Sequence, residues 1–88
     1  MDLKKHVEEK CFEVMAAKEQ CEIEKKDFLE AVEKFKKNEA TADTVAYYAD
    51  KMRDVYTRYD VERFEVHQFI WVLGDEYKAI WRELMKEA

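Results

Sequence analysis

In 88 residues the chain contains no proline and one glycine, Gly74. The usual punctuation of β-turns is therefore nearly absent, while the abundant Ala, Glu, Lys, Leu and Met favour helix. The sequence predicts an all-α protein. At this length the chain is expected to form one domain with a single core of modest stabilising power, so a partner chain could matter for stability. Charged residues make up 42% of the chain, but acids and bases alternate closely, and the net charge of −5 is spread along a solvated surface. With 48% hydrophobic and 14% aromatic residues, there is too much apolar material for intrinsic disorder.

The apolar periodicity divides the chain into three helices. Over residues 2–37, Leu3, Val7, Cys11, Val14, Cys21, Phe28, Val32 and Phe35 recur on one face. Lys4 with Glu8, Glu22 with Lys26, Glu30 with Lys34 and Glu33 with Lys37 are opposite charges four residues apart, each able to support the exposed face by a few tenths of a kcal/mol, roughly 0.2–0.5. The stretch around Asp27 is the least apolar, and Asp27 with Glu30 can recap a second helix, so the sequence allows a bend or break there. Asn38 suits the left-handed conformation after a helix and Thr41 suits the cap of the next. The short connection makes the neighbours antiparallel.

A second helix is expected over residues 42–59, with Val45, Tyr48, Met52, Val55 and Tyr59 inward and Tyr47, Lys51, Asp54 and Arg58 outward. Asp60 is a candidate cap for a third helix over residues 60–86, with Val66, Phe69, Ile70, Leu73, Tyr77, Ile80 and Leu84 on its core face. The pattern also allows helices two and three to run nearly continuously. The expected architecture is an elongated three-helix bundle: an antiparallel hairpin plus a third helix. Its first helix, roughly 50 Å long at about 1.5 Å per residue, would project beyond its partners unless it bends.

No pattern of catalytic chemistry stands out. Cys11 and Cys21, with nine residues between them, resemble one half of the paired motif of coiled-coil-helix-coiled-coil-helix proteins, but that family needs two such motifs and this chain has one. Ten helical residues place the two sulfurs roughly 15 Å apart, too far for a disulfide within one helix, so both are read as small buried hydrophobes. An intermolecular disulfide or redox role is the other reading. His6 and His67 are read as surface residues, because the Glu-x-x-His pairs of di-iron bundles do not occur: Glu65 precedes His67 by two residues and Glu62 by five. There is no glycine-rich phosphate loop, no nucleophile elbow and no clustered His/Cys/Asp set. The acidic pair Asp75-Glu76 is read as solvated charge. Neither an enzyme nor a cofactor is expected.

Apolar surface in unexpected places is the most informative feature. Phe12, Ala16 and Ile23 on the first helix, and Phe64 and Trp71 on the third, fall nearly opposite the core stripes. Trp71 stands among His67, Gln68, Asp75, Lys78 and Arg82, as a protein-contact hot spot would. Tyr47 and Tyr56 can extend either surface, and a wider buried face within the monomer could instead cover all of these residues.

The expected function is a non-enzymatic helical protein-protein interaction module, self-associating as a homodimer and binding a partner through Phe12, Ala16, Ile23, Phe64 and Trp71. One alternative is a small phage-type inhibitor that blocks a larger bacterial enzyme or nuclease. Another, of a different class, is a bundle binding a metal or small ligand through Cys11, Cys21, His6 or His67. Nucleic acid is not an expected ligand, since nine lysines in the first 37 residues are balanced by ten acids. No membrane span is expected. The start of the chain, Met1 to His6, lacks the apolar run of a secretory signal, so the cytoplasm is the expected location.

Overall fold

A computed structural model describes residues 2–87 of the chain and shows three helices: α1 (Leu3–Lys36), α2 (Ala42–Leu73) and α3 (Asp75–Glu87). α1 and α2 form a long antiparallel hairpin, and α3 folds back across one end of it, giving a three-helix bundle with extents of 54 × 22 × 16 Å.

Local chemistry sets the helix ends. The Asp2 carboxylate accepts from the Lys5 backbone N–H at 3.2 Å, satisfying one of the free donors of the first turn of α1. At the other end Asn38 takes the left-handed conformation at φ 61°. Glu39 N–H then reaches Lys34 O at 2.8 Å and Asn38 N–H reaches Phe35 O at 3.1 Å, the paired bonds of a Schellman turn. Thr41 caps α2 by accepting from Thr44 N–H at 3.3 Å.

The second boundary falls elsewhere than expected. α2 runs through Asp60 without interruption and stops at Gly74, so the helices expected over residues 42–59 and 60–86 are one helix with a corner near its end. Asp60 can cap a helix, but nothing forces one to start there when the apolar spacing of Val55, Tyr59, Val66, Ile70 and Leu73 continues in phase across it. Gly74 makes the turn at φ 81° and ψ −159°, angles open to glycine and hostile to L side chains. The corner takes a single residue: Gly74 N–H donates to Ile70 O at 2.8 Å, and Gly74 O accepts from Lys78 N–H at 3.3 Å.

α1 is likewise continuous through Asp27, so no break or recapping occurs there. Nor does it project alone, because α2, at 32 residues against 34, accompanies it over most of its length. What falls short is α3, with 13 residues. Three helices therefore pack only at the end holding Val7, Val14, Val66 and Tyr77, with Leu3, Tyr59, Phe69, Ile70, Leu73, Ile80, Trp81 and Leu84 around them. The rest of the molecule is a two-helix hairpin whose contact strip is narrow. It is closed by small residues, Ala17, Cys21 and Ala31, which let the helix backbones approach.

Two polar residues enter the buried face of α1 where the periodicity foresaw none. Lys10 is 5% exposed and bonds to Glu62 and Glu65 of α2 and to Glu13 one turn along. Glu24 is 6% exposed and accepts from the Gln20 side chain at 3.0 Å. Phe35, expected in the core stripe, is 46% exposed because the hairpin is closing into its turn at that level. None of the four expected i,i+4 ion pairs closes; the surface pairs that form are Glu33 with Lys36 at 3.8 Å and Asp50 with Arg53 at 3.1 Å, both three residues apart.

Candidate interaction surface

The outward side of α2 carries an apolar stripe broken by Gln68. Val61, Phe64, Trp71 and Val72 follow helical spacing and are 50%, 62%, 87% and 72% exposed. They lie on the side of the helix away from Val55, Tyr59, Val66 and Leu73, which face α1. From Val61 to Val72 the stripe is roughly 16 Å long at about 1.5 Å per residue. Single exposed apolar residues are ordinary on a protein surface, but four on one face of one helix are of the kind that marks a contact site.

α1 has a smaller patch on its own outer side. Phe12 is 75% exposed and Ile23 48%, with Ala16 exposed between them. Phe12 stands at the lip of a groove of about 490 Å3 between α1 and α2, whose floor includes Ala16, Ala17 and Val55 and whose far wall carries Arg58 and Glu62.

All five residues singled out from the sequence are thus exposed and none is folded into the core. The structure does not bring them together, however. The core faces of α1 and α2 point toward each other, so the outer faces point away in opposite directions. Phe12, Ala16 and Ile23 lie on one flank of the hairpin, Phe64 and Trp71 on the other. Sequence reasoning missed Val61 and Val72, which the spacing to Phe64 and Trp71 could have supplied.

Of the residues considered for other chemistry, Cys11, Cys21 and His6 are occupied with packing. Both cysteines are free and buried. Cys21 Sγ donates to Val55 O at 3.4 Å, and Cys11 Sγ lies 3.4 Å from Met85 Sδ. Burial raises the pKa of both thiols, leaving them protonated and unreactive at neutral pH. His6, expected at the surface, is half-buried. Its ring packs edge-on to Phe69 with centroids 4.7 Å apart and lies 5.9 Å from the Tyr77 ring. The reason is tertiary: Phe69 of α2, distant in the chain, packs against the ring, and Tyr77 of α3 adds to the contact. His67 is exposed. Among the described residues no three His, Cys, Asp or Glu side chains converge as a metal site would require.

Around Lys10 the electrostatics are strong and self-contained. Burial on its own would lower the pKa of the ammonium, but its hydrogen bonds to Glu62, Glu65 and Glu13 outweigh that and hold it above the ordinary lysine value. This is a charge locked between helices, with its donors already committed. Among the described residues no helix is long and apolar enough to cross a membrane. Comparison with known protein families, with characterised proteins and with solved structures finds no match.

Proposed function

We propose that the chain is a non-enzymatic helical interaction module that associates with a second copy of itself through the outer stripe of α2. The observation that carries this reading is the run of Val61, Phe64, Trp71 and Val72 at 50–87% exposure on a helix whose other side faces α1. A second copy suits the stripe because each chain carries the same exposed apolar face to cover. In an isologous pairing both copies bury the same four apolar side chains against each other. Trp71 is the expected anchor, since it is the largest and most exposed side chain of the stripe and a buried tryptophan commonly dominates the energy of an interface. The cytoplasm suits two free, buried thiols.

Light scattering over a concentration series, under reducing conditions, tests this. A dimer is expected, with Trp71→Ala weakening it by about tenfold or more while circular dichroism and the melting temperature of the monomer stay unchanged. A strict monomer at high concentration defeats self-association. The stripe would then be open to a different protein, and a larger enzyme whose activity falls on capture through Trp71 would make the chain an inhibitor.

A further inference from the structure

The furrow between α1 and α2 is filled by α3 over only part of its length. Met85 of α3 reaches Cys11 of α1, and Ile70 of α2 belongs to the cluster that Tyr77 closes. Leu29 follows Cys11 by 18 residues and Met52 precedes Ile70 by 18, and this interval is about five helical turns. Leu29 and Met52 therefore lie on the same side of the hairpin as α3, beyond its end. There, with Phe28 and Tyr56, they line an open groove of about 320 Å3, flanked by Lys25 on α1 and Arg53 on α2. Leu29 is 52% exposed and Tyr56 38%, a large exposure for apolar side chains at an interhelical groove.

We propose that this groove docks an acidic amphipathic helix of another protein, laid along the line that α3 follows at the other end. The shape argument comes from α3 itself, which shows what the furrow accepts: a helix with Tyr77, Ile80 and Leu84 turned inward. The charge argument comes from the flanks. In a chain of net charge −5 this apolar strip is bordered by cations on both helices. Lys25 has no ion-pair partner within 4 Å among the described residues, and Arg53 holds only the exposed Asp50 at 3.1 Å, a surface pair worth little and readily exchanged. A partner helix with carboxylates beside its apolar face would satisfy both flanks. A second copy fits poorly, because pairing two of these grooves about a two-fold axis sets Lys25 and Arg53 against their own counterparts. The groove is separate from the outer stripe of α2, so either surface can function without the other.

The test is fluorescence anisotropy with a labelled helical peptide of about four turns, leucine on one face and glutamate on the other, beside the same peptide carrying lysine in place of glutamate. The glutamate peptide is expected to bind about tenfold or more tightly than the lysine peptide, and to weaken as salt is added. Combining Lys25→Glu with Arg53→Glu should reverse the preference. Leu29→Ser should lower affinity for the glutamate peptide by about tenfold, whereas Trp71→Ala should leave it unchanged. All four altered side chains are exposed, and unchanged melting curves will show that the fold is retained. Equal binding of the two peptides, a preference that survives the double charge reversal, or an unaffected Leu29→Ser variant would overturn the proposal. So would a dimer that Leu29→Ser dissolves, which would assign the groove to a second copy.

Discussion

Lys10 of α1 and Glu62 of α2, 52 residues apart in the chain, are hydrogen-bonded across the hairpin at a point where Lys10 is 5% exposed. Glu65, one turn further along α2, shares the same ammonium. An apolar strip made of alanine, cysteine and valine can slide by a turn at modest cost, but a buried charge that meets its carboxylates in only one alignment cannot. The bond therefore specifies the register of the two helices as well as joining them.

Removing the ammonium tests that account. Lys10→Ala should destabilise the fold by about 1–3 kcal/mol, the partial exposure of Glu65 moderating a cost that would be larger for a fully buried pair. Lys10→Met, which keeps the apolar stem, should lose less. The pH dependence follows from the raised pKa. A lysine that holds its proton more tightly folded than unfolded contributes fully below the unfolded value of about 10.4, and loses that contribution as the pH climbs toward the folded value. The stability gap between the wild type and Lys10→Met, measured by denaturant melts, should be constant at neutral pH and should narrow above about pH 10.4.

Gly74 offers a stereochemical test. A β-carbon at this position would meet nothing within 4 Å, so substitution costs only backbone strain at φ 81°. Gly74→Ala should lower stability by about 1–3 kcal/mol. A D-alanine introduced at the same position by chemical synthesis should cost far less, because φ 81° with ψ −159° mirrors the extended region that L residues favour. Thermal melts of the two variants separate chirality from size.

The Tyr77 side chain is fully buried, yet its hydroxyl has no hydrogen-bond partner among the described residues. Burial raises its pKa, so the phenol is held neutral. Tyr77→Phe keeps the ring against Phe69, whose centroid is 5.7 Å away, and removes the unpaired polar atom. This variant should be as stable as the wild type or more so by up to about 1 kcal/mol. Tyr77→Ala should cost about 3–5 kcal/mol through the cavity it leaves. An equally large loss in Tyr77→Phe would show that the hydroxyl is bonded after all.

Cys11 and Cys21 should resist a thiol reagent such as dithiobis(nitrobenzoate) while the chain is folded and react at once in denaturant, since both thiols are buried and raised in pKa. Fast reaction of either in the folded state would place it at an open or fluctuating surface.

What the amino-acid sequence determined by itself is whatever depends on residues within about four positions of one another. Helix as the state of nearly the whole chain, the left-handed Asn38, the Thr41 cap and the inward phase of Val7, Val14, Val66 and Tyr77 all belong to this class. So does the outward phase of Phe12, Ile23, Phe64 and Trp71, because helical spacing sets the side of a helix on which a residue stands. Only the tertiary structure decided that Asp60 lies mid-helix while Gly74 turns the corner, since both are locally admissible and the packing of α2 along α1 favours the longer helix. It decided that Lys10 goes inward, because Glu62 and Glu65 arrive from a strand of sequence more than fifty residues away to receive it. It also decided which apolar surface stays open: α3 is long enough to cover one end of the hairpin and too short to reach Leu29 and Tyr56. The phase of a helix is written in its own residues, whereas what covers that phase depends on how far each neighbour extends.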